Sequence, residues 1–532
     1  MKNLFKCVFV LEILRCAQDD ILSVIEVMKF FNTPLIKAID AYTIEHEPVA
    51  SIDLMERAAR ALAAAILERY AGRSFAVFAG PGNNGGDGLA VARMLQGAGC
   101  DVAVWLINPK GKLSPDCAVN LERLQAAGVP VTEVADAFIM PALAADVVVI
   151  DALFGSGLDR PVVNGVFANV IRGIDACSND VVAIDMPSGL LGGDNEPALQ
   201  LIVLATLTLT LQFPKLSQLF AENEMFVGEL QILDIQLSQC AIDETPSPFF
   251  FTCKDDVLPL MKSRAKHAHK GCFGRALLVA GSMGMAGASV LAARASLRSG
   301  VGLLTVHVPS CNNPVVQVAV PEAMTSIDSN ECCFSDSIDT ARYTAVGVGP
   351  GLGQSAESEA ALLALIDSCK APMVLDADAL NILARNPKYM QRLPQGSVIT
   401  PHVGEFARLF GETDSSYVRL QAAQAYAMTF GVTIVLKGAY TVVVTQLGTM
   451  HFNSTGNPGM ATGGCGDVLT GCILALLAQG YAAPDAARLA VYAHGLAGDI
   501  AACEKGQMAL VAGDIVDCLP RAWRSLEEEC RR

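Results

Sequence analysis

Charge is in short supply in this chain: 17% of its residues are Asp, Glu, Lys or Arg, against 52% hydrophobic ones. Disorder needs the opposite balance, so a folded chain with buried helices around parallel strands is expected. The shortage falls hardest on positive charge, leaving a net charge of −16 and a pI near 4.9. Such a surface repels phosphate backbones at long range, which excludes nucleic acid as a partner. A small anionic ligand is still allowed, because backbone N–H groups and helix N-termini bind phosphate inside acidic proteins. The 17 cysteines contain no C-x-x-C pair, and Cys332–Cys333 is the only adjacent pair. Neither a zinc site nor a disulfide framework can be read from them. Scattered cysteines that serve as small hydrophobes suit a reducing cytosol.

A membrane span is missing too. Residues 197–214 are uncharged, but their Thr/Leu alternation (LIVLATLTLTLQF) favours strands over a spanning helix. Residues 1–27 hold a short apolar run, CVFVLEIL, interrupted by Glu12 and followed by no small-residue cleavage site. Export is therefore not expected, and Met28 is read as the start of the working chain.

At 532 residues and a mean hydropathy of +0.40, the chain is too long for one core. Ser51–Tyr70 opens with Ser and acids and then turns Ala/Leu-rich, which reads as a helix. Apolar runs at Phe75–Ala79, Val102–Ile107, Val147–Ile150 and Val181–Ile184 alternate with helix-length spacers, Leu89–Gly97 among them. That rhythm is βαβ, hence a parallel sheet covered on both faces. It fails over residues 238–256, SQCAIDETPSPFFFTCKDD, where two prolines and clustered acids place a domain boundary near 240–255. It then resumes with strands at Ala276–Ala280, Ala345–Val348, Met373–Leu375, Ser397–Thr400 and Thr433–Lys437, and helices at Ala286–Ser299 and Ala360–Ser368. Two α/β domains follow.

Between the first strand and its helix lies Gly80–Gly88, GPGNNGGDG. Its five glycines allow close approach of backbone to ligand, and its N–H groups would face an anion at the helix start. The Walker loop is ruled out, since no Gly-Lys-Ser/Thr follows, and so is the spaced dinucleotide fingerprint. A plain glycine turn remains open. Asp151 ends VVVID before ALFGSGLDRP, and Asp185 ends VVAID before MPSGL. Polar residues at carboxyl ends of parallel strands face a ligand crevice, though either aspartate alone is equally read as a helix cap.

Together GPGNNGGDG, DALFGSGLDRP and AIDMPSGL resemble the NAD(P)HX epimerases, the YjeF N-terminal family, over about residues 28–235. The resemblance implies a Rossmann-like fold for residues 28–240. It also implies that Asn83, Asn84, Gly85, Gly86 and Asp87 contact a hydrated nicotinamide nucleotide. Gly155, Ser156, Gly157, Leu158, Asp159, Arg160 and Pro161 would do the same, with Asp185 near the reacting ring. Asn84, Asp151 and Ser188 would hold K+, an oxygen set that suits a hard cation. The implied reaction exchanges the epimers at C6 of the hydrated ring, with Asp185 as a candidate acid/base.

In the second half, Asn457–Asp467 (NPGMATGGCGD) feeds an apolar helix. A glycine loop at a helix start is an anion hole, and the helix dipole would keep the Asp467 carboxylate ionised. It could take a proton from a hydroxyl while loop N–H groups stabilise a transferring phosphoryl; simple capping by Asp467 is the alternative. GPGLG (349–353), LDADALN (375–381), TPHVGE (400–405) and LKGAYT (436–441) each follow a strand, where polar loops collect ligands.

This ordered set resembles the ribokinase-like fold and, more closely, the ADP-dependent NAD(P)HX dehydratases, the YjeF C-terminal family, from about Lys266 to Gly513. Residues 250–528 would form that domain. Carried over, Ala288, Gly353, His402 and Asp467 contact the hydrated dinucleotide. Lys437, Gly438, Ala439, Tyr440, Thr441 and Gly466 contact the adenine nucleotide. One departure is Cys465, where the family has a small hydroxyl residue; only backbone is needed there. The implied chemistry is phosphorylation of the C6 hydroxyl by ADP, then loss of phosphate, with Mg2+ on the phosphates. The rival reading is a kinase of the same fold that releases a phosphorylated vitamin precursor or sugar. A second ligand crevice in the first half speaks against it. Expected partners are the small molecules NADHX, NADPHX and ADP, with a homo-oligomer as the assembly and the cytoplasm as the compartment.

Overall fold

The computed structural model describes residues 28–47, 49–196 and 199–530; the apolar run before Met28 lies outside them. The chain forms two compact units, one built mainly from Lys29–Ser247 and the other mainly from Pro248–Arg532. Both are α/β with mostly parallel sheets.

The first unit carries helices α1 (Thr33–His46), α2 (Ser51–Arg69), α3 (Asn83–Gly97), α4 (Pro115–Ala126) and α5 (Gly165–Asp175). Its strands are β1 (Ser74–Ala79), β2 (Val102–Ile107), β3 (Val131–Val134), β4 (Val147–Ala152), β5 (Val181–Ile184), β6 (Leu207–Leu211) and β7 (Glu229–Leu233). They pair in the order β3-β2-β1-β4-β5-β6-β7, parallel throughout. Period-2 alternation splits the strand side chains between two cores. Val77, Val104 and Ile150 pack with Leu62, Ile66, Leu89 and Leu124 of α2–α4, while Phe78 and Val149 pack with Val170, Ile171 and Ile174 of α5. Strand order reverses between β1 and β4, so the loops after these strands diverge and open a crevice.

The glycine-rich segment departs from the expectation of a loop. α3 begins at Asn83, so Gly85, Gly86 and Gly88 lie inside the helix, buried. Their poor helix propensity is overridden by packing. A Cβ on Gly80 would fall on the Leu153 carbonyl, and one on Gly85 on the Gly80 carbonyl. These two glycines let strand end, loop and helix close on each other. Ser51 opens α2 as expected, behind N-cap Ala50, and its hydroxyl donates to Asp116 Oδ2 at 2.6 Å. Within the uncharged 197–214 stretch, Leu207–Leu211 is the parallel strand β6. Among the described residues no helix is long and apolar enough to cross a membrane.

The second unit has strands β8 (Phe249–Thr252), β9 (Arg275–Val279), β10 (Leu303–Val308), β11 (Met324–Ile327), β12 (Ala345–Val348), β13 (Met373–Leu375), β14 (Val398–Ile399), β15 (Thr433–Leu436), β16 (Val442–Val444) and β17 (Met450–Asn453). Their order is β8-β17-β16-β15-β14-β13-β12-β9-β10-β11. From β11 to β15 all pairs are parallel; β15-β16 and β16-β17 are antiparallel. Helices used below are α6 (Ala286–Arg298), α7 (Ala356–Ser368), α8 (Asp378–Arg385), α9 (Val403–Phe410), α10 (Cys465–Ala478), α11 (Ala483–Lys505) and α12 (Ala512–Glu529). Ala276 and Leu278 join the core made with α6 and α10–α12. Leu277 and Val279 point to the opposite face and are just as buried, so helices cover both sides.

Gly80→Ala should lower the stability of the first unit by about 1–3 kcal/mol, the usual cost of overpacking. Gly97→Ala, at the end of α3 with open space at its Cβ position, should gain up to about 1 kcal/mol from helix propensity. Urea unfolding followed through Trp105 on β2 checks both; equal effects would discount the packing argument.

Candidate active sites

In the first unit the crevice is a cavity of about 970 Å³. Three strand ends furnish it. The β1–α3 turn brings Asn83, Asn84 and Asp87, the β4–α5 loop brings residues 155–161, and the end of β5 brings Asp185. Gly85 and Gly86, expected at the ligand, do not line it, because those Cα atoms are spent on close packing of α3. Asp151 and Ser188 lie beneath the cavity, fully buried, and do not line it either.

Asp185 holds a left-handed backbone, φ +64°, uncommon for a residue with a Cβ. The strain is held by its N–H donating to Leu209 O at 2.8 Å and by Gln218 Nε2 donating to its carbonyl at 2.8 Å. Its Oδ2 accepts from Ser156 N at 2.9 Å, and its Oδ1 accepts from the Lys215 ammonium. Lys215 is 3% exposed and also donates to Thr210 Oγ1 at 2.8 Å and to the Leu211 and Phe213 carbonyls, both at 3.1 Å. Burial alone would raise the Asp185 carboxyl, but the Lys215 charge and hydrogen bond outweigh it and hold it below the usual range. Neither Asp185 nor Asp151 caps a helix.

Two further aspartates face the same cavity with shifts in the opposite direction. Burial, then the charge of Asp185, pushes Asp40 of α1 up to about 6. The same two causes raise Asp87 well above the carboxylate range. Asp151 rises to about 6 through burial, although Ser188 donates twice to it, from Oγ at 2.6 Å and N at 2.7 Å. Ser188 Oγ also receives Phe154 N at 2.9 Å and lies 3.2 Å from Phe154 O. Asn84 Oδ1 reaches the edge of Gly155, and its buried Nδ2 has no partner among the described residues.

In the second unit the order again reverses, between β9 and β12, and polar groups gather over the strand ends. Asp376, after β13, is buried; its Oδ1 accepts from Lys437 Nζ at 2.7 Å and its Oδ2 from Thr470 Oγ1 at 2.8 Å. Lys437 lies 3.5 Å from Glu405 as well, and despite burial these carboxylates raise its ammonium. So its charge, expected at the adenine nucleotide, is first committed inside the protein. Gly438 and Thr441 close the following turn, the Thr441 hydroxyl donating to Gly438 O at 2.9 Å. Gly466 sits against both Asp376 and Lys437, with room for a Cβ only at 3.5 Å from each. Gly353 N donates to Asp378 Oδ2 at 2.9 Å, and Ala288 of α6 packs beside Gly351.

His402 is the N-cap of α9: its Nδ1 accepts from Gly404 N at 3.0 Å and Glu405 N at 3.3 Å. The ring is half exposed, and its Nε2 lies 3.4 Å from Glu405 Oε1, so both nitrogens already face protein groups. Asp467 is the third residue of α10, whose cap is Gly464 (φ +95°), and no side chain caps that helix. The helix dipole does not keep Asp467 in the ordinary carboxylate range. Burial, followed by the charge of Asp376, pushes it up to about 7, with Lys437 opposing.

A family model described as YjeF-related protein N-terminus matches residues 51–217, and one described as NAD(P)H-hydrate dehydratase matches residues 276–521. A bifunctional NAD(P)H-hydrate repair enzyme of Thermofilum pendens is 36% identical, covering 94% of this chain and 97% of its own. One from Moorella thermoacetica is 37% identical over 90% and 94%. A solved ADP/ATP-dependent NAD(P)H-hydrate dehydratase from Bacillus subtilis is 31% identical, covering 52% of this chain and 98% of its own, with a TM-score of 0.46.

Asp185→Asn leaves the Lys215 ammonium buried without a counter-charge and should destabilise the first unit by about 3–5 kcal/mol. Adding Lys215→Met should restore most of it. Denaturant unfolding of the three variants checks this; a single-variant loss under about 1 kcal/mol would discount the pair as a structural element.

Proposed function

The chain belongs to the family of bifunctional NAD(P)H-hydrate repair enzymes, and on that premise we propose which side chains carry each half of the repair. An epimerase interconverts the R and S forms of hydrated NAD(P)H, and a dehydratase returns the S form to NAD(P)H. We assign epimerisation to the unit ending near residue 247, dehydration to the unit after it, and ADP as phosphoryl donor. The observation that carries this division is the opposite setting of two aspartates: Asp185 is held ionised by Lys215, whereas Asp467 titrates near neutrality.

At C6 of the substrate a hydroxyl sits beside the ring nitrogen. Changing its face requires the hydroxyl to leave or the ring to open, and either route begins with proton movement at that oxygen. Asp185, kept as carboxylate, is suited to accept that proton. The raised Asp40 and Asp87 in the same cavity are suited to supply one. The oxygens of Asp151, Ser188 and Phe154 gather in one buried cluster beside Asn84, an all-oxygen set that fits K+. When bound, the ion supplies a positive charge that offsets the buried Asp151.

In the second unit Asp467 takes the proton of the C6 hydroxyl as that oxygen bonds to the terminal phosphorus of ADP; the bond to AMP breaks. The N–H groups around Gly463–Gly466 stabilise charge on the transferring group. The C6–O bond then breaks, pushed by the ring nitrogen, and phosphate leaves where hydroxide could not. Loss of the C5 proton restores the dihydropyridine. Asp376 and Asp378 are engaged by protein hydrogens. Among the described residues Asp467 makes no hydrogen bond or ion pair, which suits it to catalysis, and Mg2+ would arrive with the phosphates of the nucleotide. Its contribution is to neutralise phosphate charge. Every described cysteine is free, which supports residence in a reducing cytosol.

Incubating the protein with ADP and hydrated NADH should restore the reduced-nicotinamide absorbance; release of a stable phosphorylated product instead would favour a plain kinase. Asp467→Asn should keep nucleotide binding and cut dehydration on the order of 10²–10⁴-fold. Because the base form is required, dehydratase kcat/KM should fall as pH drops through about 7. A flat profile from pH 6 to 8 would remove Asp467 from this role.

A further inference from the structure

We propose that Lys110 and Lys112 bind the 2′-phosphate that separates hydrated NADPH from hydrated NADH, so that the epimerase unit prefers the phosphorylated substrate. This rests on the epimerase reading above. The strand order β3-β2-β1-β4-β5-β6-β7 reverses between β1 and β4. A dinucleotide lying across such a sheet places its two halves on opposite sides of the reversal. The hydrated ring belongs at Asp185, at the end of β5, so the adenosine half lies over β1, β2 and β3. Its ribose 2′ position then falls at the end of β2. Sheets of this order carry an acid there to receive a 2′-hydroxyl, or a cation to receive a 2′-phosphate.

This chain has no acidic residue from Val102 to Lys112, and it places two lysines just past the strand, in NPKGK. A tight turn presents them: Gly111 N donates to Asn108 O at 3.2 Å with Gly111 at φ +62°, and Lys112 N donates to Asn108 Oδ1 at 3.1 Å. The Asn108 side chain is thereby used within the turn and is not free for a ribose. Two residues on, Ser114 N donates to Pro81 O at 2.9 Å, fastening the turn to the glycine loop that would receive the pyrophosphate. Both lysines are exposed, both line the same cavity, and neither ammonium has a protein partner among the described residues. In a chain of net charge −16, two cations without protein partners at one cavity mouth form a local positive patch that attracts an anionic group of the ligand.

The test uses the full chain without ADP, so that dehydration is idle, and follows the R and S forms by chromatography. Wild-type kcat/KM should favour hydrated NADPH over hydrated NADH by about tenfold or more, the worth of one charge-assisted contact. Lys110→Ala/Lys112→Ala should bring that ratio towards one, mainly through KM for the phosphorylated substrate. Lys110→Arg/Lys112→Arg should keep most of it. A wild-type ratio near one overturns the proposal, as does a double alanine variant that slows both substrates alike, which would put the lysines on the shared pyrophosphate. A wild-type chain that epimerises neither substrate overturns the epimerase reading, and this inference with it.

Discussion

Each unit buries a lysine against an aspartate where its parallel strands end, and the rest of each site is arranged around that pair. Lys215 with Asp185 and Lys437 with Asp376 bring charge into water-poor ground, which an unpaired ion would not tolerate. Pairing of this kind adds little net stability, since desolvation offsets most of the attraction. What it does is fix the charge state of the neighbourhood. In the first unit the paired aspartate itself faces the cavity and stays ionised. In the second the paired aspartate lies behind, and its charge adds to burial, the larger cause, in lifting the neighbouring Asp467, while Lys437 opposes. The same pair of side chains thus lowers the carboxyl that faces the first cavity and only modulates the one that burial has raised in the second.

The division suits the sequence of reactions. On the proposed reading, epimerisation breaks and remakes one bond at C6 with proton transfers at its oxygen, and the first cavity collects both a lowered carboxyl, Asp185, and raised ones, Asp40 and Asp87. Dehydration must transfer a phosphoryl group, and its aspartate stands among glycines at a helix start, where backbone N–H groups face the incoming charge. The product of the first reaction is the epimer that the second accepts, which gives a physical reason for the two units to share one chain.

Much of this was legible in the residues. Apolar runs located β2, β5, β12 and β13 to the residue, because interior parallel strands are buried on both faces and carry nothing polar to blur their ends. Motif loops pointed to Asp185 and the 155–161 wall, which line the first cavity, and to Asp467 at the start of α10. The start of α3 was obscured: five glycines in nine residues read as loop until packing against Leu153 and Gly80 shows why glycine stands there. Lys215 was missed altogether, although it is the one charged residue from 197 to 221 and such isolation is itself a signal. Asp40 gave no signal, since α1 precedes every motif and only the fold brings it to the cavity. The state of Asp467 was misjudged because a dipole argument sees one helix, while the Asp376 charge comes from a strand far away in sequence.

The clasp between Ser114 and Pro81 joins two backbone atoms, while the Ser114 hydroxyl caps α4 by accepting from Cys117 N at 3.4 Å, so position 114 is held by its own helix and not by the lysines before it. Residues 108–112 can therefore be rewritten without loosening the glycine loop or reaching the carboxyls at the far side of the sheet. On the proposed reading, the choice between the two hydrated dinucleotides rests on a turn that is separate from the carboxyls which handle the proton.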